Sequence, residues 1–326
     1  MSDTAAYDAL LLVSFGGPER REDVIPFLEN VLRGRDVPSA RMLQVAEHYY
    51  EFDGRTPIND QNRALIAALE QEFAARGPRL PVYWGNRNWR PLLPDTVRQM
   101  ESDGVRRALA FVTSAFSSYS GCRQYLENIE QATRGANSIR IDKLRAFYNH
   151  PGFIDAMADR CKDALKTRPG ARLLFTGHSI PVSYANTSPY TQQLEESCRL
   201  VAERLGRRDW RLVYQSRSGS PREPWLGPDI GEALRELGAG SEAVIAPIGF
   251  LSDHMEVIYD LDTEARRTCD ELGIGMTRAA TVGVHPGFVS MIRDLVLERT
   301  EGAPRLSVGN YPPCHDVCPA DCCPRS

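Results

Sequence analysis

The chain predicts an α/β fold made of two successive halves, each a parallel β-sheet flanked by helices. Three observations carry that reading. Short apolar runs without period-two alternation, such as residues 9–15 and 171–176, alternate with longer segments of helical spacing. The runs end on glycine turns, as buried strands do when they leave a sheet. The alternation runs to residue 142 and starts again at Lys143, so 326 residues are read as domains 1–142 and 143–300 followed by a cysteine-rich extension, 301–326.

In the first half, strand 9–15 enters Gly16-Gly17-Pro18. The spacing of Val24, Phe27, Leu28 and Val31 predicts a helix over 22–32, closed by Arg33-Gly34-Arg35 with two cations at its C-terminus. Helices over 41–50 and 62–76 follow, on either side of a loop, 52–60. A strand over 81–84 runs into 85–89, a helix covers 93–102, and a strand over 107–114 leads to a polar turn at 117–121.

The second half repeats the order. A strand is expected over 143–148, then a helix over 151–165 with Phe153, Ile154, Met157, Cys161 and Leu165 on one side. Strand 171–176 ends at Gly177-His178-Ser179. Helix 191–205, strand 211–215, helix 229–237 and strand 243–248 come next, and the last strand leads directly into 249–264. A strand over 275–280 and a helix over 287–299 close the half. Ligands of parallel α/β sheets bind beyond the carboxyl ends of the strands, which places 15–17, 85–89, 177–179, 216–218 and 249–256 around one cleft.

Composition excludes several classes. The net charge is −4 and no block of Lys and Arg stands out, which argues against nucleic acid as a partner. The apolar run 9–13 is short for a signal peptide and follows Asp3 and Asp8, so a cytoplasmic protein is expected. No segment approaches the ~20 apolar residues of a membrane span, leaving at most peripheral membrane contact. Cys122, Cys161, Cys198 and Cys269 are scattered, whereas Cys314, Cys318, Cys322 and Cys323 crowd the tail. In a chain of this class that crowding points to a metal or cluster site, or a disordered tail, ahead of a disulfide framework.

The stretch 249–264 carries most of the candidate chemistry. On an ideal helix Asp253, Glu256, Asp260 and Glu264 fall within about 80° of arc, opposite Leu251, Met255, Ile258 and Leu261. Asp262 interrupts the apolar side. His254 falls off the stripe, so it joins the carboxylates only if the first turn is widened or irregular. His178, reached from another strand end, gives an imidazole facing a carboxylate line, which suits a divalent cation or proton transfer. Neither H-E-x-x-H, C-x-x-C, a phosphate-binding glycine loop nor a G-x-S-x-G elbow is present. Phe15, Trp84, Trp89, Tyr119 and Trp225, with Arg33, Arg35 and Arg87 nearby, suit a planar apolar ligand bearing carboxylates.

The motifs LLVSFGGP (11–18), TPIN (56–59), TGHSIP (176–181), YQSRSGSPREPWLGPD (214–229) and PIGFLSDHMEVIYDLD (247–262) resemble those of the ferrochelatases, in family order and over nearly the whole chain. The resemblance implies two Rossmann-like domains of class II chelatase type around a porphyrin cleft, acting as a monomer that inserts Fe2+ into a porphyrin with release of two protons. It places His178 and Glu256 as the catalytic pair, with Asp253, His254, Asp260 and Glu264 completing the metal-handling line. Phe15, Arg33, Arg35, Thr56, Arg87, Asn88 and Trp225 match positions near the porphyrin. SFGGP, GNRNW and SGCRQY resemble the coproporphyrin III enzymes more than those acting on protoporphyrin IX, although Phe15 stands where some of them have tyrosine. The tail resembles that of members with a [2Fe–2S] cluster, which implies Cys122 and three of Cys314, Cys318, Cys322 and Cys323 as ligands; structural zinc is the alternative. A non-catalytic haem-binding or iron–sulfur sensor and a cobalt chelatase are the competing functions.

Overall fold

The computed structural model describes residues 6–34, 37–135, 139–218 and 223–325. It divides into two compact units: the described parts of 5–113 and 125–143, and those of 114–124 and 144–326. Where the sequence suggests a contiguous split with a separate extension, residues 114–124 go with the second unit and the tail belongs to it.

The first unit runs β1 (Ala9–Ser14), α1 (Val24–Leu32), α2 (Ser39–Tyr50), α3 (Ile58–Arg76), β2 (Val82–Asn86), α4 (Leu93–Ser102), β3 (Arg107–Val112), α5 (Gln124–Thr133) and β4 (Arg140–Lys143). Its sheet has the order β2-β1-β3-β4, all parallel. Every residue of β1 is buried, as a strand covered on both faces requires. Leu11, Val13, Val97, Met100 and Ile129 build one layer of that core.

The second unit contains a π-turn (Tyr119–Arg123), α6 (Pro151–Leu165), β5 (Arg172–His178), α7 (Val182–Asn186), α8 (Tyr190–Arg204), β6 (Trp210–Gln215), α9 (Ile230–Leu237), β7 (Glu242–Ala246), α10 (Met255–Val257), a π-helix (Ile258–Ala265), α11 (Arg266–Leu272), β8 (Gly275–Arg278) and α12 (Pro286–Thr300). The sheet order is β6-β5-β7-β8, again all parallel. α6 and α12 start on the same tetrapeptide, His-Pro-Gly-Phe. His150 and His285 each cap their helix, Nδ1 accepting from the amide of Gly152 or Gly287 at 3.1 Å. A Cβ on Gly152 would lie 2.7 Å from the Gly287 carbonyl oxygen, so glycine lets these two helix starts approach.

The sequence reading omits α7 and α11, and three further elements differ from it. No strand covers 143–148; the strand is Arg140–Lys143 and it closes the first sheet beside β3. The apolar run after it is buried as irregular chain. Phe147 packs on Phe153 and Phe288 at 5.8 and 6.0 Å, and Arg145 pairs with Glu298 at 2.7 Å, the two side chains 1% and 2% exposed. Helix α5 goes unannounced because only Tyr125 and Ile129 of its ten residues are buried. Strand β5 extends two residues further than expected and takes in His178.

Candidate active site

His178 is the last residue of β5 and lies opposite Gln215 of β6. Its Nδ1 is 2.6 Å from the Ser179 carbonyl oxygen. A carbonyl only accepts, so Nδ1 carries the proton and Nε2 has the open lone pair of the neutral ring. Nε2 lies 3.5 Å from Glu256 Oε1. Burial works against protonation of His178, but Glu256, the Ser179 carbonyl and Asp260 outweigh it and raise its pKa above the ordinary value.

Glu256 reaches this position because the chain leaving β7 crosses the end of β5. The Gly249 amide donates to the Thr176 carbonyl at 2.9 Å, and a Cβ on Gly249 would lie 2.7 Å from Gly177 Cα. His254 then caps α10 from extended backbone, its Nδ1 accepting from the Glu256 amide at 3.2 Å. The Glu256 carboxylate stands between two imidazoles, with His254 Nδ1 at 3.8 Å. Burial tends to raise its pKa, yet His178 and His254 prevail and hold it down at about 2. His254 itself is lowered, first by burial and then against the pull of Glu256 by His178. Phe250 packs between the rings, 6.3 Å from His178 and 5.1 Å from His254.

The irregularity that the sequence demands of the first helical turn occurs at two other places. His254 stands outside the helix as its cap, and the widening comes at Ile258–Ala265. Residues four apart drift about 40° on an α-helix, whereas the i→i+5 bonding of a π-helix brings them closer to superposition. Asp260 and Glu264 lie on that stretch. The Ser216 hydroxyl and Gln215 Nε2 donate to Asp260 Oδ2, the latter at 3.4 Å. Ser216 adopts the left-handed region, φ 65°, a conformation that a non-glycine residue holds only when its surroundings impose it. Burial, with Glu256 and Glu264 close by, pushes Asp260 up to about 7 against the Ser216 hydrogen bond. Glu264 is exposed.

Asp253 has a different engagement from the one the stripe suggests. Arg278 Nη1 donates to its Oδ1 at 2.8 Å, and the same guanidinium holds Asp262 through two bonds of 2.7 and 2.8 Å. Arg278 thus accounts for the carboxylate that interrupts the apolar face. Trp225 runs antiparallel to Pro181, in the segment just after His178, and its Nε1 is buried with no protein partner among the described residues. Tyr190, unforeseen from the sequence, donates its hydroxyl to the His178 carbonyl at 2.9 Å. Gln215 and Arg278 were likewise not singled out, Gln215 being signalled only by its motif, whereas Ser216 belongs to the strand end 216–218 expected at the cleft.

In the first unit, register brings Phe15 and Arg87–Asn88 out of β1 and β2 together. The Asn88 amide donates to the Phe15 carbonyl at 3.1 Å. The Arg87 guanidinium lies over the Phe15 and Tyr125 rings at 5.7 and 4.4 Å, and its Nε donates to Asn128 at 2.6 Å. Asn30 bridges Arg33 (2.5 Å) to the Asn88 carbonyl (3.2 Å). Phe15 is 36% exposed. Thr56 is buried with no partner for its hydroxyl among the described residues. Arg35 lies outside the described residues.

The tail is docked along the second unit. Asn149 Nδ2 donates to the Tyr311 and Pro312 carbonyls at 2.8 and 3.3 Å, and Glu196 accepts from the Asn310 amide at 2.7 Å. Arg123, from the π-turn that carries Cys122, donates to the carbonyls of Pro319, Ala320 and Cys322. Cys322 and Cys323 sulfurs are 3.8 Å apart. Burial pushes the Cys323 thiol up to about 12, helped by the neighbouring Cys322 and Cys122. Cys314 Sγ instead accepts from Gln193 Nε2 at 3.5 Å. Among the described residues no helix is long and apolar enough to cross a membrane.

Two parallel four-stranded sheets carry an imidazole and a carboxylate at one set of strand ends, and the comparisons assign the chain that bears them to the metal chelatases. A family profile, Ferrochelatase, matches residues 7–300. The chain is 55% identical to the ferrochelatase of Rhodopirellula baltica, over 99% of this chain and 95% of that one. It is 49% identical to the coproporphyrin III ferrochelatase of Streptomyces coelicolor, over 99% and 94%. Among solved structures, SirB from Bacillus subtilis with Fe3+ superposes with a TM-score of 0.59 at 14% identity, covering 91% of this chain and 97% of that one. CbiX, described as the terminal enzyme of sirohaem biosynthesis in denitrifying bacteria, superposes at 0.51 with 15% identity, covering 88% and 97%. At that identity the likeness shows the shared fold. The chain belongs to the ferrochelatase family, enzymes that insert iron into a porphyrin, and Fe2+ is its metal substrate.

Proposed function

We propose that the porphyrin is coproporphyrin III and that His178 receives its pyrrole protons. Insertion converts a free-base porphyrin and Fe2+ into the iron porphyrin and two protons. A base must therefore stand at the ring with an open lone pair. The observation that carries this role is the 2.6 Å bond from His178 Nδ1 to the Ser179 carbonyl, which fixes the tautomer with Nε2 as acceptor. Once protonated, the imidazolium is stabilised by Glu256 at 3.5 Å. Glu256, Asp260 and Glu264 supply carboxylates from this site outward, a line that serves incoming Fe2+ or outgoing protons, with His254 beside its first member. Asp253 contributes through Arg278, as the anchor of the 249–256 crossing.

Coproporphyrin III carries four propionates where protoporphyrin IX has two and a pair of vinyl groups. Arg33, Arg87 and Asn88 offer cationic and amide donors for them, and Thr56 and Trp225 each hold a buried polar group that a ligand can satisfy. Phe15 offers an exposed apolar ring to the macrocycle. The name of the Streptomyces relative supports the same choice. Initial rates with the two porphyrins test it: kcat/KM for coproporphyrin III is expected to exceed that for protoporphyrin IX at least about tenfold. Equal rates, or the reverse order, refute the choice.

We further propose a [2Fe–2S] cluster on the tail. The donor set fits: Cys122, Cys318, Cys322 and Cys323 offer four thiolates, the soft ligands that iron–sulfur clusters take. Bound there, a cluster ties the tail to the π-turn and adds a redox-active link. Cysteines gathered for metal suit a reducing compartment, the cytoplasm.

A further inference from the structure

In the first unit, the two loops that carry Phe15 and Arg87–Asn88 are joined by a pair of buried carboxamides, Asn59 near the start of α3 and Asn86 at the end of β2. Asn86 closes the second loop on itself. Its backbone amide donates to the Pro91 carbonyl at 2.7 Å, and its Nδ2 to the Arg90 carbonyl at 3.0 Å and to Asn59 Oδ1 at 3.3 Å. Asn59 Nδ2 then reaches the Gly17 carbonyl at 3.1 Å and Glu19 Oε1 at 3.2 Å, both in the chain that follows Phe15, and the Arg90 carbonyl at 3.4 Å. One network spans both loops.

The network runs in one sense only. Trp84 Nε1, an indole N–H that can only donate, gives its proton to Asn86 Oδ1 at 2.9 Å. That contact turns Asn86 Nδ2 towards Asn59, whose oxygen must accept, and leaves Asn59 Nδ2 for the carbonyls. Turning either amide over would set donor against donor and oxygen against oxygen. Arg63 completes the circuit, donating to Glu19 and lying over the Trp84 ring at 5.4 Å. Gly16 makes room for it: its φ is 79°, and a Cβ there would lie 2.8 Å from Asn86 Cβ.

The loops are already tied at their strand ends, where the Arg87 and Asn88 amides donate to the Ser14 and Phe15 carbonyls at 2.9 and 3.1 Å. The carboxamides tie them again further along, at Gly17 and Arg90, whose carbonyls have no sheet ladder to join. A loop held at one end pivots, and a loop held at both keeps its side chains in place. We propose that Asn59 and Asn86 are positioning residues for porphyrin binding: the pair fixes the separation of Phe15 from Arg87–Asn88, and with it the fit of the macrocycle and its carboxylates to these strand ends. This rests on the reading of Phe15, Arg87 and Asn88 as porphyrin-binding residues. Neither carboxamide touches the His178–Glu256 pair, so the effect falls on binding of the porphyrin.

Steady-state kinetics of the full chain test this, with coproporphyrin III and Fe2+ varied separately and rates normalised to the folded fraction. Asn86→Asp has the same shape and still accepts from Trp84, but it opposes oxygen to Asn59 Oδ1 and to the Arg90 carbonyl. It should raise the porphyrin KM about tenfold and leave kcat and the Fe2+ KM within about threefold. Asn86→Leu removes the pairing without burying a charge and should show the same split. A merely structural pair would lower the folded fraction and leave the porphyrin KM alone; that result in either variant, or failure of both to fold, overturns the proposal. Arg87→Ala separates this from the reading beneath it. If its porphyrin KM is unchanged, the strand ends do not bind porphyrin and both fail; if it rises while the Asn86 variants keep the wild-type value, only the positioning role is lost.

Discussion

The two sheets share one topology and differ in what their strand ends carry. In each, the first strand of the unit lies between the second and the third, and the fourth takes the edge. At the ends of β1 and β2 stand Phe15, Arg87 and Asn88, an aromatic ring, a guanidinium and an amide. At the ends of β5 and β7 stand His178 and Glu256, backed by Asp260, groups whose protonation depends on one another. The topology decides where a ligand meets the sheet, and the side chains placed there decide whether the site binds or reacts.

Exchanging each set for alanine separates these roles, and the largest effect is expected at His178. His178→Ala should lower kcat by about 10²–10⁴, the range that a positioned base contributes. Arg87→Ala should act mainly on KM, because a group that pairs with a substituent distant from the pyrroles binds ground and transition states alike. Steady-state kinetics on both variants check the contrast. Comparable losses of kcat in the two would show that reaction chemistry is spread over both sheets.

The same contrast marks what could be read from the sequence. Buried parallel strands are continuous apolar runs, so β1 and β5 stood out, as did the residues that follow them. Strand β4, Arg-Ile-Asp-Lys, is short and polar, and carried no such signal. The run after it looked like a strand because it is apolar, but Arg145 finds its partner 153 residues away in Glu298. Long-range pairing of this kind also hid the engagement of Asp253 with Arg278. His178 and Glu256 were legible by position and motif, whereas the capping by His254 and the support from Ser216 and Tyr190 depend on backbone geometry. An ideal-helix projection assumes that His254 is helical, whereas it is the extended cap of α10, and that is why the projection left it off the acidic line.

A smaller effect tests the coupling within the second sheet. A base at His178, as proposed, accepts a proton only in its neutral form, and Glu256 raises its pKa above the ordinary imidazole value, so activity should fall as pH drops through a value above that ordinary one. Glu256→Gln removes the carboxylate while burial remains. The acid limb of kcat/KM should then move to lower pH, whatever the residual rate. A limb that stays in place or moves up would falsify the assignment of that limb to the His178–Glu256 pair.

The smallest expected effect is the most local. Tyr190 opens α8 and reaches back to the His178 carbonyl, while Leu194 on the next turn packs where a Cβ on Gly177 would clash at 2.8 Å. The end of β5 is held by α8 at the backbone and met by Glu256 at the imidazole, and the direction of Nε2 depends on both. Tyr190→Phe keeps the ring against Phe116, 6.2 Å away, and deletes only the hydroxyl. The carbonyl it leaves without that donor costs about 1–3 kcal/mol of stability if nothing replaces the bond. A purely structural hydroxyl would stop there, with turnover per folded molecule unchanged. A positioning hydroxyl lowers kcat about threefold to tenfold at constant KM, because a misdirected base affects the transition state and not the bound porphyrin. Kinetics normalised to the folded fraction distinguish the two, and an unchanged kcat would mean that β5 holds His178 without help from α8.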